Sequence, residues 1–124
     1  MSKKILYIED ERQIAEIYAE LLRAHGYYVD LQFDGKTGLD QARSEQYDVI
    51  LLDLMLPQIS GIDVLNALRD KSQSPTFSDT TYIIILTNFD VDDMVRREIN
   101  QKAQGYLIKV EYTPKKLIEY LESL

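Results

Sequence analysis

Asp48-Val49-Ile50-Leu51-Leu52-Asp53-Leu54-Met55-Leu56-Pro57 is a near-continuous apolar run interrupted by one carboxylate, Asp53. Its first half is short enough for a strand, and a strand covered by helices on both faces reads as an unbroken apolar stretch of this kind. Pro57, Ser60 and Gly61 then mark a turn before a new helical pattern. Ligands of open parallel sheets gather outside the carboxyl ends of the strands, so Asp53 falls where chemistry is expected. Taken alone, Asp53 reads equally well as an acidic helix or turn cap.

Working outward toward the start, Ile5-Leu6-Tyr7-Ile8 looks like a buried strand and stops at three acids, Glu9-Asp10-Glu11. From Arg12 to His25 the apolar positions Ile14, Ile17, Tyr18, Leu21 and Leu22 recur at helical spacing, and Gly26 is placed to close that helix. A second strand is expected over Tyr28 to Phe33, broken by Asp34-Gly35 before a helix through Leu39 and Ala42.

Toward the other end, Ile62, Leu65 and Leu68 mark a third helix, and Asp70 to Thr81 reads as a long polar surface loop. Tyr82 to Leu86 is a fourth buried strand ending in Thr87-Asn88. Asp90 is a plausible cap for a helix carrying Val91, Met94, Val95 and Ile99, after which Gly105 ends the connection. Tyr106-Leu107-Ile108 forms a short fifth strand before Lys109, and Thr113-Pro114 caps a last helix with Leu117, Ile118 and Leu121. Five strands alternating with five helices require crossovers and a parallel sheet covered on both faces. The expected fold is a doubly wound, flavodoxin-like α/β domain with strand order 2-1-3-4-5.

The 124 residues fit one domain, 1–124, burying roughly 65% of the unfolded surface. No run approaches the ~18 apolar residues of a membrane span, and Met1-Ser2-Lys3-Lys4 leads into a strand rather than a signal peptide, so a cytoplasmic protein is expected. The absence of cysteine excludes disulfides, thiol catalysis and thiolate metal sites. A net charge of -7 argues against nucleic-acid binding by this domain and favours cations or basic partners.

In the expected strand order the first and third strands are neighbours, which sets Glu9 and Asp10 opposite Asp53. Two like charges ~4 Å apart repel by about 4 kcal/mol at an effective dielectric near 20, so three carboxylates call for a held proton or a bound cation. An incomplete oxygen set suits Mg²⁺, which keeps waters and takes phosphate oxygens. The same rim adds Thr87 and Lys109, a hydroxyl donor and a fixed positive charge. Together these are what phosphoryl transfer to Asp53 requires, because such transfer depends on positioning and on neutralising the equatorial oxygens. Singly, Thr87 reads as a helix cap and Lys109 as a surface lysine.

With these residues in view the chain resembles the receiver domains of two-component response regulators over essentially its whole length, through Glu9-Asp10, Asp53, Met55-Leu56-Pro57 with Gly61, Thr87, Tyr106 and Lys109. The resemblance implies that Asp53 accepts a phosphoryl group from the phosphohistidine of a sensor histidine kinase or a histidine phosphotransfer protein. It implies Mg²⁺ held by Asp10, Asp53 and the backbone carbonyl of Met55, with Glu9 assisting through water. It further implies a switch in which Thr87 follows the phosphoryl group and Tyr106 moves inward. The face bearing Val91 to Ala103, Tyr106 and the last helix would then meet an unidentified downstream protein. The domain would be a monomer or a weak homodimer through the fourth and fifth helices. Tyr106 can also be read as an ordinary core aromatic.

Two positions depart from the family pattern. Receiver domains commonly follow the lysine with a cis proline, whereas Val110 follows Lys109 here; a cis non-proline bond costs about 3 kcal/mol, so a trans bond is expected. Asn88, after the switch threonine, is larger than usual and is expected to alter access to the phosphoryl group. His25, in Ala24-His25-Gly26, reads as a helix-end residue favoured by the dipole, and Arg96-Arg97 and Lys115-Lys116 as solvated helix faces. Among rival functions, a flavin protein would want a Ser, Thr or Gly-rich cradle where Glu9-Asp10-Glu11 stands. An aspartyl-phosphate phosphatase would want a second Asp where Met55 stands. An interaction module without phosphate turnover stays open. With no effector domain after the last helix, the chain is expected to be either a stand-alone receiver or a fragment of a longer, DNA-binding regulator.

Overall fold

Each apolar run is a strand and each 3.6-period stretch a helix in the computed structural model, which describes residues 3–124. The reading of the chain start rests in part on Met1 and Ser2, which lie outside the described residues. The order is β1 (Lys4–Ile8), α1 (Arg12–Ala24), β2 (Tyr28–Gln32), α2 (Gly35–Ser44), β3 (Val49–Leu52), α3 (Gly61–Arg69), β4 (Tyr82–Thr87), α4 (Asp93–Lys102), β5 (Gly105–Ile108), a 3-10 turn over Lys109–Glu111, and α5 (Pro114–Glu122). All four strand pairings are parallel, in the order β2-β1-β3-β4-β5 that the alternation of strands and helices predicts.

β3 sits at the centre, between β1 and β4, and its four residues have no solvent exposure. Successive side chains of a strand point to opposite faces, so Ile50 and Leu52 join Leu39, Val64, Leu65, Leu68 and Ile99 under α2, α3 and α4. Val49 and Leu51 join Ala15, Ala19, Leu22, Leu117 and Leu121 under α1 and α5. Two cores, one on each face of a single sheet, are why the run from Val49 to Leu52 shows no polar alternation.

Several local expectations are corrected. Asp92, not Asp90, caps α4: its side chain accepts from the Val95 N–H at 2.9 Å. Met94 is therefore on the outer side of α4, 75% exposed, while Val95 and Ile99 keep the inner side. Ile17 and Leu21, placed on the apolar stripe of α1 by spacing, are also exposed. Gly105 opens β5 instead of ending the preceding connection. Asp70 to Thr81 is not wholly a surface loop, because Phe77 packs into the core and the buried Ser74 hydroxyl donates to the Ala67 carbonyl at 2.7 Å. Arg96 is not a solvated side chain; it is half-buried, with its guanidinium 3.7 Å from the Tyr106 ring centre. Lys115 and Lys116 are exposed as expected. His25 does end α1, and its ring nitrogen lies 2.8 Å from Glu122 at the end of α5. Gly26 follows with φ +100°, a conformation that favours glycine. The described residues contain no cis peptide bond, so Lys109-Val110 is trans.

Candidate functional site

The site is made at the carboxyl ends of β1, β3, β4 and β5, where the parallel register brings four separate segments to one rim. Ile8 pairs with Leu52, Leu52 with Ile85, and Thr87 with Ile108. The next residues along β1, β3 and β5 are Glu9, Asp53 and Lys109, and Thr87 is the last residue of β4. Asp53 is fixed by its backbone: its N–H donates to the Ile8 carbonyl at 3.2 Å, and the Gly61 N–H donates to Leu54 O at 3.0 Å. The start of α3 lies so close to β3 that a Cβ on Gly61 would fall 2.1 Å from the Asp53 carbonyl oxygen. Only glycine allows the helix to close on the site at that distance.

Both oxygens of the Asp53 carboxylate have partners. Oδ1 accepts from the Thr87 hydroxyl at 2.6 Å and from the Met55 N–H at 3.1 Å, and Oδ2 accepts from the Lys109 ammonium at 2.9 Å. Asp53 is 5% exposed, Thr87 0% and Lys109 8%, so these contacts are shielded from bulk solvent. Lys109 also pairs with Glu9 Oε1, which in addition accepts from the Tyr7 hydroxyl at 3.3 Å. Glu9 Oε2 accepts from the Glu11 N–H at 3.2 Å. Burial would lower the lysine's pKa, but its bonds to Glu9 and Asp53 prevail and raise it above the ordinary lysine value. Glu9 is held above the usual carboxylate range, first by burial and also by the Asp53 charge, against the opposing pull of Lys109.

Glu9, Asp10 and Asp53 each present a carboxylate oxygen within 4.8 Å of the others. Asp10 is the exposed member. One ammonium against three carboxylates leaves the rim negative, and the donors are hard oxygens without cysteine or histidine, so the residues fit an oxygen-preferring divalent cation.

Thr87 and Lys109 are brought together at Asp53 as the sequence predicts. Tyr106 stands apart from them on the outer side of β5: it is half-buried, its hydroxyl donates to the Phe89 carbonyl at 2.5 Å, and Arg96 covers its ring. Arg96 Nε is buried without a hydrogen-bond partner among the described residues. The Met55 side chain is exposed. Sequence reasoning missed Tyr7, read only as a strand residue. Its position two before Glu9 on one strand face was the available signal. It also missed the contact between Asn88 and Val110, whose donor exists only because position 110 is not proline.

The family model for the response regulator receiver domain matches residues 5–122. Response regulator ArlR of Staphylococcus saprophyticus is 39% identical over 106 residues, which are 86% of this chain and 45% of that protein. ArlR of Staphylococcus aureus is 37% identical over the same shares. The chain thus spans about half the length of the curated relatives it matches. Among solved structures, chemotaxis response regulator CheY4 of Vibrio cholerae has a TM-score of 0.82 at 27% identity, covering 99% of this chain and 98% of that one. The receiver domain of a sensor histidine kinase from Pseudomonas aeruginosa, described with a magnesium ion coordinated in its active-site cleft, has a TM-score of 0.81 at 27% identity, with 99% and 97% covered. Because the family match leaves out only the first four and last two residues, the chain belongs to the response regulator receiver domains of two-component signal transduction.

Proposed function

We propose that this receiver domain is a phosphoacceptor that takes a phosphoryl group from phosphohistidine onto Asp53 and changes its outer face in response. The observation that carries the reading is the pair of contacts on one buried carboxylate, Thr87 on Oδ1 and Lys109 on Oδ2. An Asp53 oxygen forms the new P–O bond as the P–N bond to the imidazole breaks, and that bond's electron pair stays on the departing nitrogen. Lys109 and Thr87 are then placed to donate to the phosphoryl oxygens, the charge stabilisation on which such transfers depend. Asp10, Asp53 and the Met55 carbonyl would hold Mg²⁺, with Glu9 reaching it through water. The ion, when bound, offsets the negative charge of the transferred group. Hydrolysis reverses the state: water attacks phosphorus, inorganic phosphate leaves, and the Asp53 carboxylate is restored.

The phosphoryl group adds a charge near -2, which favours the arrangement in which Thr87 and Lys109 contact it. A shift from 1:99 to 99:1 requires a differential of about 5.5 kcal/mol, to which two or three charge-assisted hydrogen bonds contribute much. Tyr106 reports the shift by leaving its bond to Phe89 and rotating inward. The affected surface, α4 with β5 and α5, would meet the downstream protein or a second copy of the domain. The phosphodonor, a sensor histidine kinase or a histidine phosphotransfer protein, would approach beside the rim, between α1 and the start of α5. There Ile14, Ile17, Val110 and Pro114 line a groove of about 310 Å³ that includes Lys109. No described helix is long and apolar enough to cross a membrane.

The test is to incubate the protein with Mg²⁺ and acetyl phosphate and measure its intact mass. We expect the mass of one phosphoryl group to be added to the wild type and absent from Asp53→Asn. A wild type without the adduct, or an adduct that survives Asp53→Asn, overturns the reading and leaves a binding module without phosphate turnover.

A further inference from the structure

Val110 contributes a backbone N–H to the β5–α5 connection, which a proline at this position could not do. The Lys109-Val110 bond is trans, the chain turns through the 3-10 segment Lys109–Glu111, and the Val110 N–H donates to Asn88 Oδ1 at 2.9 Å. The Val110 side chain is 78% exposed, so its amide is the more consequential part of the residue.

The two residues joined by this bond are neighbours of the two groups that hold Asp53. Asn88 follows Thr87, which donates to Oδ1, and Val110 follows Lys109, which donates to Oδ2. The loop around Asn88 is tied on both sides: the Phe89 N–H donates to Thr87 Oγ1 at 3.2 Å, and the Phe89 carbonyl accepts from Tyr106. Asn88 is thus a side-chain link between the β4–α4 and β5–α5 loops at the mouth of the site. The sheet register, with Thr87 opposite Ile108, places Lys109 beside Thr87 as far as the end of β5; beyond it, the turn at Val110 lacks a ring-locked peptide and has this cross-loop bond instead.

We propose that Asn88 is a positioning residue for phosphoryl transfer: its clasp on the Val110 N–H holds the Lys109 ammonium in register with the Thr87 hydroxyl across Asp53. The inference rests on the phosphoacceptor reading above and deepens it. The clasp makes the two donors respond as a unit when a phosphoryl group arrives, and transfer is sensitive to small misplacements of such groups. It also assigns Asn88 a role other than controlling access, because an access role would not involve the amide at position 110.

The test follows acetyl phosphate labelling rates at saturating Mg²⁺ in Asn88→Ala, which removes the acceptor, Val110→Pro, which removes the donor, and the double variant. Each single change is expected to slow labelling about fivefold, the effect of one modest hydrogen bond. The double variant is expected to be no slower than the slower single one. Asn88→Asp, which keeps the acceptor, should recover rate relative to Asn88→Ala, and Val110→Ala, which keeps the N–H, should outpace Val110→Pro. Amide hydrogen exchange gives a readout independent of phosphate: the Val110 proton should exchange faster in Asn88→Ala while core strand amides keep their protection. Multiplicative rate losses in the double variant, a Val110→Pro rate equal to that of Val110→Ala, or unchanged Val110 exchange would overturn the clasp. A wild type that takes no phosphoryl group removes the phosphoacceptor reading and this role together, whereas a labelled wild type with multiplicative variants removes the clasp alone.

Discussion

Glu9 holds a carboxylate at a position with no solvent exposure by finding partners for both of its oxygens within the protein. Oε1 faces the Lys109 ammonium and the Tyr7 hydroxyl, and Oε2 faces the Glu11 amide. The residue is therefore the inward counter-charge of Lys109, and Asp10, its exposed neighbour, is the one turned toward solvent. Removing a buried partner costs more than the bond itself contributes, because the group left behind keeps its desolvation penalty. Tyr7→Phe deletes one hydroxyl and leaves the ring packed edge-on to Tyr18, 6.0 Å between centres. At 3.3 Å the bond is long, and Glu9 retains two other donors. We therefore expect a loss of about 1 kcal/mol in stability, read as a lower urea midpoint with an unchanged slope. An unaltered midpoint would show that the hydroxyl contributes nothing to holding Glu9.

At the scale of elements, most of the fold was legible because the strands of a parallel sheet and the helices covering it differ in period and are separated by turn residues. Asp34, Ser60 and Thr113 cap α2, α3 and α5 through bonds to Thr37, Asp63 and Lys116, where the sequence has one good capping residue before each helix. The start of α4 was misread because Asp90, Asp92 and Asp93 all carry a capping side chain. Tertiary packing decides among them: Val95 and Ile99 must face the core, which leaves Asp92 at the cap and Met94 in solvent. The apolar stripe of α1 was overcounted for a related reason, since periodicity marks a face but not how much of it a neighbour covers. In the site, residues at strand ends were legible, whereas Arg96 over Tyr106 and Asn88 on Val110 depend on the approach of segments far apart in sequence. The cap assignment has a direct check. Asp92→Ala should cost about 1 kcal/mol of stability in chemical unfolding, and Asp90→Ala should stay within about 0.5 kcal/mol of wild type. Equal losses would mean that α4 starts elsewhere in solution.

For the whole molecule, the arrangement that gathers acids at one rim also buries phenols in and around the sheet. Tyr7, under the rim, and Tyr47, whose hydroxyl donates to Asp30 at 2.6 Å, are 0% and 2% exposed. Burial raises the pKa of each well above the ordinary tyrosine value of 10.0, and the nearby charges of Glu9 and Asp30 add to the effect. A group whose pKa is raised by folding binds its proton more tightly in the native state. Its stabilising contribution is therefore complete below the unfolded value of about 10 and declines as the pH rises beyond it, where the native state holds protons that the unfolded state has released. Lys109, also raised, acts in the same direction, since its proton is what keeps Glu9 and Asp53 paired. Alkaline unfolding is consequently expected to begin above about pH 10 and to be cooperative. The measurement is a pH titration following phenolate absorbance and far-ultraviolet circular dichroism on one sample. A fraction of the nine tyrosines should ionise only as helix signal is lost. Tyr47→Phe, which removes one of the three buried phenols and its bond to Asp30, should reduce that fraction by one tyrosine. Full ionisation of all nine with the circular dichroism intact would mean that these hydroxyls are reached by solvent in the folded protein.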